Sequence, residues 1–245
     1  MNPNSRPVCL LTGASGRLGT LFCQLYRHRY QIVAVHCSRP VQQPEEVCWR
    51  IDPFNPGVRQ RIEGGDVATL QADLSDPAQI PHVVDFALDR FGRVDVLVNA
   101  AAICRHVSLT GGERVAEHIT AMLDMNAVVP LRLAVELSQR FWRGRTEENA
   151  AFNRSIINVS STSGAYIFSN IGQSGYSASK AALHMLTCHL ADEFAPFGLR
   201  ANTVAPDSFP ERVSTASVCD AIARLAAGDM NGRMLLLEAS GASVV

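Results

Sequence analysis

Short runs of aliphatic and β-branched residues recur along this chain, each followed by a longer stretch with helical spacing, and this alternation constrains the fold more than any other feature. Val8-Cys9-Leu10-Leu11-Thr12 and Gln31-Ile32-Val33-Ala34-Val35-His36 read as strands, with residues 18–29 between them as a helix. Val94-Asp95-Val96-Leu97-Val98-Asn99, Ser155-Ile156-Ile157-Asn158-Val159-Ser160, Arg200-Ala201-Asn202-Thr203-Val204-Ala205 and Met234-Leu235-Leu236-Leu237-Glu238 follow the same rule, and residues 69–72 are a weaker candidate. Strands that are apolar without a break are buried on both faces, so the pattern predicts an α/β protein with one seven-stranded parallel sheet and helices on either side. No repeat or low-complexity linker interrupts it. Residues 40–65 carry four prolines and no sustained period, and read as an irregular crossover inside one domain spanning 1–245.

Composition narrows the function classes. Apolar residues make up 47% of the chain and charged residues 18%, enough to close a large core. Lys plus Arg number 22 against 23 for Asp plus Glu, so no global basic field exists to gather nucleic acid or anionic membrane. No apolar run approaches the length of a membrane span and the first residues are polar, which predicts a cytoplasmic protein without nucleic-acid or membrane partners. The seven cysteines are scattered and odd in number, as expected of reduced thiols. His184 and Cys188 share a helical face without a carboxylate, so no metal site is expected. GxSxG and HExxH motifs are absent.

In a parallel sheet ligands collect at the carboxyl ends of the strands. The first strand ends in Thr12-Gly13-Ala14-Ser15-Gly16-Arg17-Leu18-Gly19 and opens a helix, whose free N–H groups suit a pyrophosphate. The second ends in His36-Cys37-Ser38-Arg39. An acid usually stands there to hold a ribose 2′-hydroxyl; its absence, with Arg17 and Arg39 available for a 2′-phosphate, predicts NADP(H) over NAD.

Tyr176-Ser177-Ala178-Ser179-Lys180 places a phenol and an ammonium on one helix face, and Ser160-Ser161 ends the preceding strand. At these residues the chain resembles the short-chain dehydrogenase/reductase family over nearly its full length. Residues 12–19 look like the family's cofactor turn, Ala72-Asp73-Leu74 like its adenine-side segment, and Leu97-Val98-Asn99-Ala100-Ala101-Ala102 like its LVNNAG strand end. The resemblance implies a Rossmann-type fold. It implies a catalytic set of Asn126, Ser161, Tyr176 and Lys180, with Lys180 also on the nicotinamide ribose and Pro206, Asp207 and Ser208 on the cofactor. It also implies association as a homodimer or homotetramer.

The chemistry can be stated from the residues. Reducing a carbonyl needs a hydride on carbon and a proton on oxygen. A phenol with an ordinary pKa of about 10 gives up its proton more easily beside a cation, which Lys180 provides. Ser161 can stabilise the developing alkoxide, with Ser160 and Ser163 as alternatives. Pro130 lacks an N–H, so the Asn126 carbonyl loses its helical partner and is free for a water. Some features depart from the family: Arg17 in the cofactor turn resembles the pteridine reductase branch, and Ala205-Pro206-Asp207 replaces the usual Pro-Gly. The expected activity is therefore NADPH-dependent reduction of a small or medium ketone. A cyclic C=N reductase, an NADP-dependent alcohol dehydrogenase and an NADP-sensing regulator are the alternatives. Ser163, Tyr166 and Phe168 are the expected substrate wall.

Overall fold

The computed structural model describes residues 6–41, 48–52, 55–62, 67–110, 112 and 114–245. In chain order the elements are β1 (Val8–Thr12), α1 (Arg17–Tyr26), β2 (Gln31–His36), β3 (Cys48–Asp52), β4 (Asn55–Ile62), β5 (Val67–Gln71), α2 (Gln79–Phe91) and β6 (Val96–Asn99). There follow α3 (Val115–Leu123), α4 (Val129–Leu137), α5 (Thr146–Ala151), β7 (Ser155–Val159), α6 (Ser174–Phe194), β8 (Arg200–Pro206), α7 (Thr215–Ala227), β9 (Met234–Glu238) and β10 (Gly241–Val244).

The main sheet has eight strands in the order β10-β9-β8-β7-β6-β1-β2-β5, not the seven expected. The seven strands read from the sequence are all present and pair in parallel; the extra strand, β10, runs antiparallel on the outer edge of β9. All four of its residues are exposed, so it lacks the apolar run by which the others were recognised. The stretch 40–65 also differs from the expectation. Its described residues form an antiparallel hairpin of β3 and β4, outside the main sheet; residues 42–47, 53–54 and 63–65 lie outside the described set.

Side chains alternate across the strands and build two cores. Cys9, Leu11, Ile32, Ala34, Val96 and Val98 face α1 and α7, where Phe22, Val218 and Ile222 complete the layer. Leu10, Val33, Val35, Leu97 and Ile156 face the other way, against Val83 of α2, Leu133 of α4 and Leu190 of α6. Leu10, Leu97 and Ile156 are fully buried, and each such side chain contributes on the order of 1.5–3 kcal/mol. At the amino end of the sheet Arg154, also fully buried, reaches Asp95 (3.1 Å), Glu148 (2.6 Å) and Asn149 (2.7 Å) and lies over the Phe141 ring. Its guanidinium holds the Glu148 carboxyl below the usual range.

The strand order reverses between β1 and β6: β1 is followed by β2 on one side, and β6 is followed by β7 on the other. The carboxyl ends of these two strands therefore open a crevice.

Candidate active site

The crevice is closed at its floor by Thr12, whose hydroxyl accepts hydrogen bonds from the Ala100 and Ala101 N–H groups, each at 3.1 Å. The turn after Thr12 lies so close to β6 that a Cβ on Gly13 (φ +69°) would sit 2.7 Å from the Ala101 nitrogen. A Cβ on Gly19 would sit 2.5 Å from the Ala14 Cα, so α1 meets the turn with no room for a side chain. Gly16 precedes the first residue of α1, and no acid lies in its first turn.

Two clefts meet at this turn. One, of about 450 Å³, is lined by Gly13, Ser15, Gly16, His36, Arg39, Asp73, Leu74, Ala100 and Ala101, all from the expected cofactor set. Cys37, Ser75, Ile103 and Met125 join them without having been foreseen. The Asp73 carboxylate is held below its usual range by hydrogen bonds from the Ser75 hydroxyl and N–H. The buried His36 Nδ1 has no hydrogen-bond partner, an orphaned polar atom on the cleft wall. The second cleft, about 630 Å³, brings Ser15, Arg17 and Arg39 together with Thr20, Gln24 and Thr215. Arg17 also donates to the Phe209 carbonyl (2.9 Å) and stands 3.9 Å from Glu211, a contact the sequence did not suggest.

Other expected cofactor residues lie near but not on these walls. Leu18 is buried in the core and Ser38 is exposed beyond β2. Asn99 is buried and donates to the Asn158 Oδ1 (2.8 Å), which is held in turn through Asn158 Nδ2 and Thr187 of α6.

The third cleft, of about 320 Å³, brings most of the expected catalytic residues together. It is lined by Ser160, Ser161, Thr162, Ser163, Phe168, Tyr176, Pro206, Asp207 and Ser208, and by Cys104, Ile171, Gln173, Phe209 and Glu211. Tyr166 is not on its wall: it is half exposed, and the neighbouring Ile167 is 94% exposed. The three serines are distinguished by their bonds. Ser160 donates to the Lys180 carbonyl (2.9 Å) and Ser163 to Gln173 Oε1 (3.2 Å). Ser161 accepts the Ser163 N–H at 3.1 Å, and it is the serine whose hydroxyl acts on Tyr176, favouring the ionised phenol.

Tyr176 and Lys180 lie one turn apart on α6, with Lys180 Nζ 5.7 Å from the phenol ring centre and donating to the Val159 carbonyl at 2.8 Å. Burial pushes the phenol up to about 12, which the Ser161 bond only partly opposes, and takes the Lys180 ammonium down to about 8. Desolvation thus outweighs the effect expected of the cation, and Tyr176 is a neutral phenol at pH 7: a proton donor. The Cys104 thiol is also pushed up by burial, against the pull of Lys180.

Asn126 lies in a π-helical turn, 124–128, joining α3 to α4, in which the Val129 N–H bonds to the Asp124 carbonyl. Pro130, in the first turn of α4, supplies no N–H, so the widening follows from the missing α-helical bond. The Asn126 side chain is fully committed. It accepts from the Ile103 N–H (2.8 Å) and donates to the Ile103 carbonyl (2.8 Å) and Ser179 Oγ (2.9 Å), which itself donates to the Tyr176 carbonyl (2.7 Å). Pro130 leaves the Asn126 backbone carbonyl without its usual α-helical N–H partner.

Comparison with known proteins agrees with this geometry. The chain is 30% identical over 213 residues to an acetoacetyl-CoA reductase of Allochromatium vinosum, covering 87% of this chain and 78% of that protein. It is also 30% identical to the 3-oxoacyl-[acyl-carrier-protein] reductase FabG of Thermotoga maritima, over 81% and 72% of the two chains. A short chain dehydrogenase structure from Mycobacterium smegmatis superposes with a TM-score of 0.75 at 22% identity, covering 95% of this chain and 91% of the other. The family model for short chain dehydrogenase matches residues 7–216, and with the strand order, glycine turn and Tyr176–Lys180 pair in place, the chain belongs to the short-chain dehydrogenase/reductase family.

Proposed function

We propose that this oxidoreductase is an NADPH-dependent carbonyl reductase, with Tyr176 as the general acid. The observation that carries the reading is the convergence of a neutral Tyr176 phenol and Ser161 on one cleft, at the mouth of a crevice shaped for a dinucleotide. NADPH, when bound, supplies the hydride that adds to the carbonyl carbon. Ser161 donates a hydrogen bond to the carbonyl oxygen and steadies its developing charge, and Tyr176 transfers its phenolic proton to that oxygen, so that the product is an alcohol. Lys180, held by the Val159 carbonyl, keeps a positive charge beneath the phenol as the proton leaves. The Asn126 side chain, tied to Ile103 and Ser179, fixes the approach of α6 to the segment after β6.

The turn has no room for a side chain at Gly13 or Gly19 and leaves the start of α1 open to phosphate groups. Ser15, Arg17 and Arg39 around one cleft, with no acid at the end of β2, favour a 2′-phosphate. The test is NADPH oxidation against a panel of ketones, cyclic imines and pterins, repeated with NADH. NADPH is expected to be preferred, and Arg39→Ala to raise the KM for NADPH roughly tenfold or more while leaving that for NADH within about twofold. Equal use of both nucleotides by the unaltered protein overturns the cofactor assignment, and no turnover with any carbonyl overturns the reaction.

We read residues 1–245 as one domain that associates as a homodimer or homotetramer in the cytoplasm. Val135 on α4 and Met185 on α6 leave apolar surface for such a contact, and light scattering at micromolar concentration tests it. No helix among the described residues is long and apolar enough to cross a membrane.

A further inference from the structure

We infer that the catalytic cleft selects carbonyl compounds carrying a hydroxyl or ammonium group and discriminates against those carrying a carboxylate, with Asp207 and Glu211 as the specificity-determining residues. The inference rests on the carbonyl-reductase reading above.

Among the side chains lining this cleft, Asp207 and Glu211 are acidic and none is Arg, Lys or His. The cations that pair with them face elsewhere. Arg212 donates to Asp207 Oδ2 at 3.2 Å but lines a separate cleft near β9 and α7, and Arg17, 3.9 Å from Glu211, lines the cofactor side. Each acid thus lines this cleft while its paired cation lies outside the lining; the Glu211–Arg17 pair is largely in solvent, with side chains 66% and 61% exposed. Asp207 is only 12% exposed and is fixed further by the Ser208 N–H at 2.7 Å, so it cannot swing away. The other titratable groups on the wall do not offset them: burial raises the Cys104 thiol and the Tyr176 phenol, and both are neutral at pH 7. Lys180 lies beneath Tyr176, bound to the Val159 carbonyl and off the wall, and its charge is felt at the Cys104 end of the cleft, away from the acids' own segment 207–211.

A hydroxyl or ammonium group entering this cleft finds carboxylate acceptors. A carboxylate meets like charge, desolvated at Asp207 and screened by water at Glu211. Two unit charges about 6 Å apart at an effective dielectric of about 40 interact strongly enough to change an equilibrium roughly tenfold.

The experiment uses three ketones of equal chain length ending in ammonium, hydroxyl or carboxylate. Each is assayed with NADPH, and calorimetry measures binding of the corresponding alcohols to the NADP-loaded protein. The expected order of kcat/KM is ammonium, hydroxyl, carboxylate, with roughly tenfold between first and last. Glu211→Gln and Asp207→Asn should each compress that ratio at least about threefold. A carboxylate turned over as well as the ammonium compound, or a ratio that neither substitution moves, overturns the inference. Absence of turnover with all three instead sinks the carbonyl-reductase reading. Calorimetry then decides charge selection alone: tighter binding of the amino alcohol supports it, and tighter binding of the hydroxy acid rejects it.

Discussion

Replacing Lys180 by methionine keeps the length of the side chain and removes its ammonium, so it measures what the fold gives up to hold a cation in the core. Burial lowers the Lys180 pKa from its ordinary 10.5 to about 8. That drop corresponds to about 3 kcal/mol of preference for the neutral amine in the folded chain. The sign follows from the direction. Above pH 10.5 the amine is neutral folded or unfolded and carries no penalty. As the pH falls toward 8 the unfolded chain takes up a proton that the folded chain refuses, and below 8 the full penalty is present. The unaltered protein should therefore gain about 3 kcal/mol from this group between pH 7 and pH 10.5, a slope that Lys180→Met lacks. Urea unfolding followed by circular dichroism, without nucleotide, at several pH values across this range gives the difference in stability between the two proteins, in which groups common to both cancel. The advantage of the methionine variant should be about 3 kcal/mol larger at pH 7 than at pH 10.5. Its absolute value will be smaller than that, because the bond to the Val159 carbonyl is also lost. A difference that is flat with pH, or that grows as the pH rises, refutes the argument that burial dominates at Lys180.

Tyr176→Phe deletes only the phenolic oxygen, so turnover should fall by about 10²–10⁴ with nucleotide binding retained, measured by steady-state kinetics and fluorescence titration; undiminished turnover would move the acid role elsewhere. Arg154→Ala leaves Asp95 and Glu148 without their shared, fully buried guanidinium and should cost about 3–5 kcal/mol in urea unfolding, and a loss under about 1 kcal/mol would contradict the buried network. Phe168→Ala removes a wall of the catalytic cleft and should raise the substrate KM several-fold, whereas Ile167→Ser, 94% exposed and off that wall, should leave it unchanged. The same KM shift in both variants would mean that the loop acts as a unit.

The parts of the fold legible in the sequence are those whose physics is local and repetitive. The β1, β2, β6, β7, β8 and β9 runs are covered on both faces, which leaves short, mostly apolar runs, broken only in β7 and β8 by buried polar residues such as Asn158 and Asn202. The β10 strand has none, being an exposed edge whose pairing with β9 is carried by backbone groups. The β3–β4 hairpin is hidden among prolines that argue against regular structure. In the site, Ser161, Tyr176 and Lys180 are visible through their spacing and their place after β7 and on α6. The sequence alone does not separate Ser161 from Ser160 and Ser163; what differs among them is their hydrogen bonds, since Ser160 is bound to the Lys180 carbonyl and Ser163 to Gln173. Cys104 and Glu211 come from the segments after β6 and β8, which have no period, and only the folded chain brings them to Tyr176. The tyrosine–lysine pairing was legible but its electrostatic balance was not, because desolvation depends on burial that spacing does not encode.

The Arg17 bond to the Phe209 carbonyl has a consequence for anyone altering nucleotide preference. Arg17 belongs to the first turn of α1, yet its guanidinium holds a residue that lines the catalytic cleft. Substituting it would loosen a wall on the far side of the molecule's working crevice, so a redesign aimed at one ligand would be felt by the other. Arg39 lines the two nucleotide-side clefts and not the catalytic one, and is the position at which the two properties can be changed separately.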